Sequence, residues 1–278
     1  MSHTNVLVVS KGHPYAHDSF LAMLASIEGI QTTLVEQPAA QIVLGSDQAA
    51  DYDVVFFYDM CGIPGVGTTH DPMDETGYPT PQYEAAIEGL LDRGTGILLV
   101  NHATVSWPNW PLWRQIHGSS FMLKGGVLNG KTVPGSGYRG GHGPLPSATI
   151  RLQPQATHPV LEELEEGFEI TDELYLKTAE FEDHVLPLLR GEYNFKVDNF
   201  TPPPLAPADE QANWDHPPGS NLIVWANACR KAPVVVSDVG DSPLAYDDAS
   251  YRRLISNALH WLASEDARSW AAAQQTTG

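Results

Sequence analysis

Positive charge is scarce in this sequence. Its 278 residues hold 15 Lys and Arg against 34 Asp and Glu, which gives a formal net charge of −19. Nucleic acids and anionic membranes are bound through clustered Lys and Arg. The composition therefore excludes both as expected partners, and the acidity by itself indicates only a soluble, self-repelling surface.

Cysteine and long apolar runs are also scarce. The two cysteines, Cys61 and Cys229, match no metal or redox spacing. No apolar run reaches the roughly 18–20 residues needed to cross a bilayer. The N-terminus enters a strand pattern without the charged and apolar regions of a signal peptide. These absences predict a cytoplasmic, soluble protein.

What the sequence does contain is an alternation of strand and helix patterns. The helical patterns cover 19–27, 81–91 and about 248–264. Because the strands are rich in Val, Ile and Leu, they predict an α/β fold with an open, mostly parallel sheet and helices on both faces. Such a sheet binds ligands at the carboxyl ends of its strands. The strand patterns cover 5–10, 30–36, 52–58, 96–100, 147–152, 222–226 and 233–239.

Two long insertions interrupt this alternation, at about 103–147 and 196–220. The first joins a Trp/Pro cluster, SWPNWPLWRQIHG, to the stretch KGGVLNGKTVPGSGYRGGHGP. Eight glycines in about 21 residues predict a loop or lid without regular structure. The second insertion is rich in proline. With no repeat and no clear boundary, residues 1–278 are predicted to form a single domain.

Polar side chains follow several predicted strands. His13 and His17 come after the first strand, Asp59 after the third, His102 after the fourth and Asp241 after the last. The first of these turns lacks the glycines of a phosphate-binding loop. Histidine is a natural general acid or base and a common metal ligand. A polar pocket at the carboxyl edge of the sheet is therefore expected.

Several of these residues also have a structural interpretation. His17 fits a helix cap, and His158, which precedes Pro159, fits an extended turn. Cys61 lacks the glycine-bracketed elbow of a nucleophile, which favours a packed thiol. The Trp-rich segment with Trp107 and Trp110 fits core packing, although it could also stack on a sugar.

Taken in order, six stretches resemble the trehalose-utilisation (ThuA-like) family. The similarity covers about residues 5–264, and HPV together with DELY is its most specific part. It implies a flavodoxin-like fold similar to that of class I glutamine amidotransferases but without their cysteine, with His102 at the nucleophile's position. The stretches are VLVVSKGHPYAHDSF, YDVVFFY, GILLVNHATVSW, THPVLEEL, FEITDELY and VVVSDVGDSPLAY.

The resemblance also implies a role in sugar catabolism, in a family often found beside dehydrogenases that make 3-keto-glycosides. We therefore predict an enzyme that acts on a sugar or keto-sugar glycoside by His/carboxylate acid–base chemistry, of isomerase, lyase or hydrolase type. His102 is the expected base, with Asp172 or Glu173 orienting it or acting as acid, and Tyr175 completes the catalytic set. The expected substrate contacts are His13, His17, Asp59, Trp107, Trp110 and His158.

One position departs from the family pattern. The late Gly-His of the family is Gly240-Asp241 in this chain. A carboxylate can still bind zinc or manganese, so a divalent metal held by two or three of four side chains is a further expectation. These are His17, His102, His142 and Asp241. The alternative, slightly favoured by Asp241, is a non-catalytic sugar-binding or regulatory domain, and a hydrolase using Cys61 is a third interpretation. A homo-oligomer is compatible with the sequence.

Overall fold

A computed structural model describes residues 3–63, 77–119, 121–128, 130–141, 143–203 and 206–274. The first hundred residues alternate regularly between strand and helix. Their elements are β1 (Thr4–Lys11), α1 (His17–Ala25), β2 (Ile30–Glu36), α2 (Ala39–Leu44), β3 (Val54–Asp59), α3 (Pro81–Arg93) and β4 (Gly96–Val100).

The remainder of the chain contains more strands and shorter helices. A 3-10 turn at Asn101–Val105 follows β4 directly. The elements are α4 (Pro111–His117), β5 (Gly126–Leu128), β6 (Lys131–Val133), β7 (Gly137–Arg139), β8 (Ala148–Pro154), β9 (Phe168–Asp172), β10 (Leu174–Leu176), β11 (Leu186–Glu192), α5 (Ala208–Ala212), β12 (Leu222–Cys229), β13 (Ala232–Ser237), α6 (Pro243–Asp247), α7 (Ala249–Leu262) and α8 (Glu265–Gln274).

Nine of these strands form one sheet, in the order β2-β1-β3-β4-β13-β12-β11-β8-β9. The five strands from β2 to β13 pair in parallel. Their order is that of a flavodoxin-like doubly wound sheet, with a topological switch point beside β1. The expected open, mostly parallel sheet is therefore confirmed, and its parallel half brings the ends of β1, β3, β4 and β13 to one edge.

The other half of the sheet is antiparallel. β12 pairs antiparallel with β13, and β11, β8 and β9 continue the sheet in the same manner. This extension brings the end of β9 and the residues after it back toward the edge where the parallel strands end. The contacts between that segment and the strand ends form part of the candidate site.

The core lies on both faces of the sheet because successive side chains of a strand point to opposite faces. In β1, Val6 and Val8 join a cluster with Phe20 of α1 and residues of α7. Leu7 and Val9 join a second cluster with α3 and α4. The expectation of helices on both faces is confirmed.

The glycine-rich stretch differs from its expected form. Three short strands, β5, β6 and β7, lie within it; β5 pairs with β6, and β7 pairs with β10. The expectation of a stretch without regular structure is wrong, because short strands tolerate glycine between and within them when a partner strand is near. The Trp-rich part also contains α4, whose C-terminus is at Gly118 in a left-handed conformation.

The ends of α3 and the start of α7 carry typical capping residues, whereas the expected cap of α1 is wrong, because Ala16 and not His17 occupies its N-cap position. Thr80 caps α3 by accepting a hydrogen bond from the backbone N–H of Tyr83, and Gly94 ends that helix in the left-handed conformation. Asp248 caps α7 through the N–H of Tyr251. In the part of the chain that the structure describes, no helix combines the length and apolarity that a membrane crossing requires.

Candidate active site

The turn after β1 carries the first histidine of the site. Lys11 and Gly12 have positive φ angles of 106° and 87°, a region that L-residues other than glycine seldom occupy. This sharp turn stops the strand and directs His13 over the end of the sheet, where its side chain is only 11% exposed. Strain of this kind is typical of functional loops.

The turn after β4 carries the second histidine. Asn101 has a positive φ of 48°, and His102 follows it in the 3-10 turn with a fully buried ring. The Nε2 atom of His102 lies 3.1 Å from the carbonyl oxygen of Tyr58, at the end of β3. Because a carbonyl only accepts hydrogen bonds, Nε2 carries a proton and donates it to this carbonyl.

The segment after β13 carries Asp241. Gly240 precedes it with a φ of 125°, and its carbonyl accepts a 2.8 Å hydrogen bond from the hydroxyl of Tyr58. A Cβ at position 240 would collide with the hydroxyl of Tyr251. Only glycine fits this path, and the path holds the Asp241 side chain nearly buried at the edge of the sheet.

These three side chains meet at one carboxylate oxygen. Asp241 Oδ1 lies 3.3 Å from Nδ1 of His102 and 3.4 Å from Nδ1 of His13. The two imidazole rings stack, with centroids 4.3 Å apart and 23° between their planes. One potential ligand atom from each residue lies within 4.8 Å of the others. We call His13, His102 and Asp241 the histidine–aspartate cluster.

Asp172, the last residue of β9, holds the backbone beneath this cluster. Its Oδ2 accepts hydrogen bonds from the N–H of Gly240 and, at 3.1 Å, from the N–H of Asp241. Burial raises the pKa of Asp172 to about 7, the nearby charge of Asp241 adds to this, and the backbone hydrogen bonds partly oppose it. Asp172 therefore fixes the backbone that carries Asp241.

Glu173, the next residue, is the second carboxyl group near Asp241. Burial, followed by the charge of Asp241, raises the pKa of Glu173 well above its usual value, although hydrogen bonds from Tyr175 and Asn101 oppose the shift. Tyr175 also donates a 2.8 Å hydrogen bond to Oδ1 of Asn101. Gly141 lies against the carboxyl group, since a Cβ there would be 2.5 Å from Oε1 of Glu173.

A cavity of about 290 Å³ opens beside the cluster. Tyr15 forms an aromatic part of its wall, and its hydroxyl donates to Oγ of Ser10. Gly141 and Asp241 also contribute to the wall, so Asp241 lines the cavity directly, and Glu173 adjoins it through Gly141. The other lining residues are Pro14, Ala16, Ser147, Ser242 and Pro243.

Two of the expected histidines lie away from the cluster. His17 is about half exposed and faces Asp18, with 3.6 Å between Nδ1 and Oδ1. His158 caps the turn Pro159–Leu161 by accepting from the N–H of Val160, and it packs edge-on against Trp261. Burial lowers the pKa of His158 to about 4. His142, the remaining expected metal ligand, lies outside the described residues.

The expected Trp and Asp contacts are buried. Trp107 and Trp110 belong to the hydrophobic core on the α3 side of the sheet, because their indoles fill the space beside Tyr83 and Trp113. Both indoles are therefore buried in the core rather than exposed as a surface on which a sugar could stack. Asp59 is fully buried and accepts a hydrogen bond from Gln37, and burial raises its pKa to about 6.

Sequence reasoning missed several residues that build the site. Tyr58 orients both His102 and Gly240, and Asn101 links Tyr175 to the turn after β4. In the sequence, Tyr58 is one of several large residues in an apolar strand pattern, and nothing in that pattern indicates its two polar contacts. Asn101 and Gly141 did carry a signal, since Asn and Gly are the residues that most readily adopt positive φ.

The fold and the cluster together define the class: a flavodoxin-like α/β protein with a buried histidine–carboxylate site at the carboxyl edge of its sheet. The chain belongs to the ThuA family, described as trehalose utilisation, whose sequence pattern matches residues 5–262. The resemblance read from the motifs is thereby confirmed. Membership implies a role in trehalose utilisation, without specifying a reaction. No curated protein matches this sequence.

Solved structures agree with this assignment at the level of the fold. A ThuA-like protein from Parabacteroides merdae is 15% identical, with a TM-score of 0.61 over 95% of this chain and 91% of that one. A ThuA-like protein from Bacteroides uniformis is 17% identical, with a TM-score of 0.61 over 95% and 93%. A structure described as a cytoplasmic protein from Salmonella typhimurium is 13% identical, with a TM-score of 0.51 over 92% and 98%.

Proposed function

We propose that this protein is an enzyme of carbohydrate catabolism that acts on a sugar or keto-sugar glycoside by His/carboxylate acid–base chemistry. The observation that carries the proposal is that one cavity is lined by Asp241, the carboxylate of the histidine–aspartate cluster, and by Gly141, against which the carboxyl group of Glu173 lies. The proposal includes a cytoplasmic location, in keeping with the description of the Salmonella protein.

A keto-sugar suits this arrangement because its carbonyl acidifies the neighbouring C–H bond. Removal of that proton leaves negative charge on the carbonyl oxygen, and elimination or isomerisation can follow. A site for this reaction needs a base near the carbon and a source of positive charge near the oxygen. Two residues of the cavity wall adjoin such groups: Gly141 lies against the carboxyl group of Glu173, and Asp241 contacts the two imidazoles.

Glu173 is better placed than His102 to act as the base that removes this proton. Both ring nitrogens of His102 face protein atoms, Nε2 toward Tyr58 and Nδ1 toward Asp241. Glu173 adjoins the lining residue Gly141, and its raised pKa makes its carboxylate a stronger base than an exposed one.

The cavity limits the size of the substrate. At about 290 Å³ it is at the lower end of the range for ligand pockets, roughly 300–1,000 Å³. This volume suits one sugar ring, with the rest of a glycoside outside. Tyr15 offers an aromatic surface at the entrance, and the hydroxyl groups of Ser147 and Ser242 offer polar contacts. Such a mixture is typical of small-molecule pockets.

The test is turnover of a panel of glycosides and their 3-keto derivatives by the wild type and by Glu173→Gln. We expect turnover of at least one keto-glycoside and a loss of about 10²- to 10⁴-fold in kcat in the variant. Glu169→Gln, which changes an exposed glutamate on strand β9, four residues before Glu173, is the matched control. Tight sugar binding without turnover would instead identify a sugar-binding or regulatory domain.

A further inference from the structure

The contact between His102 and Asp241 joins an imidazole nitrogen to a carboxylate oxygen. Nε2 of His102 donates its proton to the Tyr58 carbonyl, and the other ring nitrogen, Nδ1, lies 3.3 Å from Oδ1 of Asp241. A nitrogen and a carboxylate oxygen in this arrangement can hold either a proton or a metal ion between them.

The distances in the cluster fit a bound cation. A charge-assisted N–H···O contact is normally about 2.7–2.9 Å long, whereas Asp241 Oδ1 lies 3.3 and 3.4 Å from the two Nδ1 atoms. Two donor atoms that each bind a tetrahedral zinc ion at about 2.0–2.1 Å are themselves about 3.4 Å apart. The two N···O separations therefore match edges of a coordination tetrahedron better than direct hydrogen bonds.

The surroundings also favour a cation. Asp172 and Glu173 place two more carboxyl groups near Asp241, since Asp172 accepts from the Asp241 N–H and Glu173 lies with Asp241 beside Gly141. In the described ranges, Asp241 makes ion pairs only with His13 and His102, and no Lys or Arg lies within ion-pair distance of it. The buried amine of Lys177 is paired with Asp238 at 2.6 Å instead.

The supporting contacts resemble those that orient metal ligands. A ligating histidine usually donates its second ring N–H to a carbonyl or carboxylate, as His102 does to Tyr58. Asp172 fixes the backbone that carries Asp241 by accepting a hydrogen bond from its N–H. The elements that hold the cluster are thus rigid strand ends, except for the turn that carries His13.

We propose that His13, His102 and Asp241 bind one divalent first-row transition cation, such as Zn²⁺, with an open coordination position toward the cavity. Two nitrogen donors favour such ions over Mg²⁺ and Ca²⁺, which prefer oxygen ligands. The rings of His13 and His102 stack with their centroids 4.3 Å apart, so metal binding requires the less buried ring of His13 to turn toward the ion. The inference deepens the proposed function and rests on it only for the use of the ion, which would supply the positive charge at the substrate oxygen.

Isothermal titration of metal-stripped protein tests the site without any substrate. We expect one Zn²⁺ per chain, at least about tenfold weaker binding in His13→Ala and in Asp241→Asn, and no comparable binding of Mg²⁺. His17→Ala is the matched control, since it removes an exposed histidine four residues from His13. Circular dichroism of each variant checks that the fold is kept.

The outcomes separate the two proposals. The absence of stoichiometric Zn²⁺ binding in the wild type, or equal loss in His17→Ala and His13→Ala, would overturn the metal site. Undiminished turnover of a keto-glycoside after metal removal would overturn the use of the ion in the reaction, while leaving the proposed function intact. Zn²⁺ binding with the expected variant pattern but no turnover of any sugar would establish the site and refute the enzyme.

Discussion

Oδ2 of Asp172 accepts a 3.1 Å hydrogen bond from the backbone N–H of Asp241, 69 residues further along the chain. The same oxygen accepts from the N–H of Gly240. These contacts tie the end of antiparallel strand β9 to the segment after parallel strand β13. The DELY motif thus contributes two neighbouring residues to the site. Asp172 positions Asp241, and Glu173 lies against Gly141 in the cavity wall.

Asp172→Ala is expected to lower both stability and turnover. It leaves two buried backbone N–H groups without an acceptor, at a cost of about 1–3 kcal/mol each in the free energy of unfolding. Asp172→Asn keeps an acceptor oxygen, so it is expected to restore most of the stability and much of kcat. Urea denaturation and steady-state kinetics on the two variants measure this. An Asn variant as inactive as the Ala variant would show that Asp172 itself reacts.

Gly141→Ala is expected to disturb Glu173 without unfolding the protein. The added Cβ would lie 2.5 Å from Oε1 of Glu173 and 3.6 Å from Oδ2 of Asp241. Glu173 must therefore move, and kcat on the keto-glycoside is expected to fall by at least about tenfold, in line with the usual contribution of a positioned base. Thermal denaturation is the parallel measurement.

Gly130→Ala is the matched control for that change. Gly130 also has a positive φ, of 77°, but a Cβ there meets nothing within 4 Å. Both substitutions therefore carry the backbone strain of a left-handed alanine, whereas only one of them reaches Glu173. Equal losses of kcat in the two variants would attribute the effect to backbone strain and contradict the role of Glu173.

Much of the architecture was predictable because the parallel half of the sheet has strong local signals. β2 and β4 have the expected bounds, and β1, β3, α3 and α7 differ by a few residues. The strands β9 and β11 were missed because their patterns mix charged, proline or glycine residues with apolar ones, and β10 was missed because it has only three residues. Their pairing depends on distant partners, β8 and β12 for β9 and β11 and β7 for β10, which no local window contains.

The site was predictable only in part. His102, Glu173 and Asp241 follow strand ends or a family motif, so the sequence singled them out. The choice between His13 and His17 depended on the positive φ angles of Lys11 and Gly12, which the sequence does not reveal. The burial of Trp107 likewise depends on packing against α3.

Gly240→Ala is expected to be strongly destabilising. The residue has a φ of 125°, and an added Cβ would collide with the hydroxyl of Tyr251 and lie 2.6 Å from Cγ1 of Val100. We expect a loss of at least about 1–3 kcal/mol in the free energy of unfolding. The partner change Tyr251→Phe removes the hydroxyl, so the double variant should be more stable than the sum of the single changes predicts. Strict additivity in urea denaturation would contradict the collision with Tyr251 as the cause.

His117 gives the clearest expected pH dependence, because it lies far from the cluster in sequence and is fully buried at the end of α4. Burial lowers the pKa of His117 to about 3, and the positive charges of Lys177 and Arg114 act in the same direction. The unfolded chain takes up this proton near the usual value of about 6.5, whereas the native protein resists it until about pH 3. Stability due to this group is therefore complete above pH 6.5 and is lost progressively as the pH falls through that window.

His117→Asn removes this proton-linked effect. We expect the free energy of unfolding to fall less steeply between about pH 6.5 and 4 in the variant than in the wild type, by up to about one proton in the slope. His184→Asn, which removes an exposed histidine, is the matched control. Urea denaturation at several pH values gives the slopes. Identical slopes of unfolding free energy against pH for wild type and His117→Asn would contradict this prediction. They would show that His117 is protonated in the native protein, with its positive charge beside the buried pair of Lys177 and Asp238.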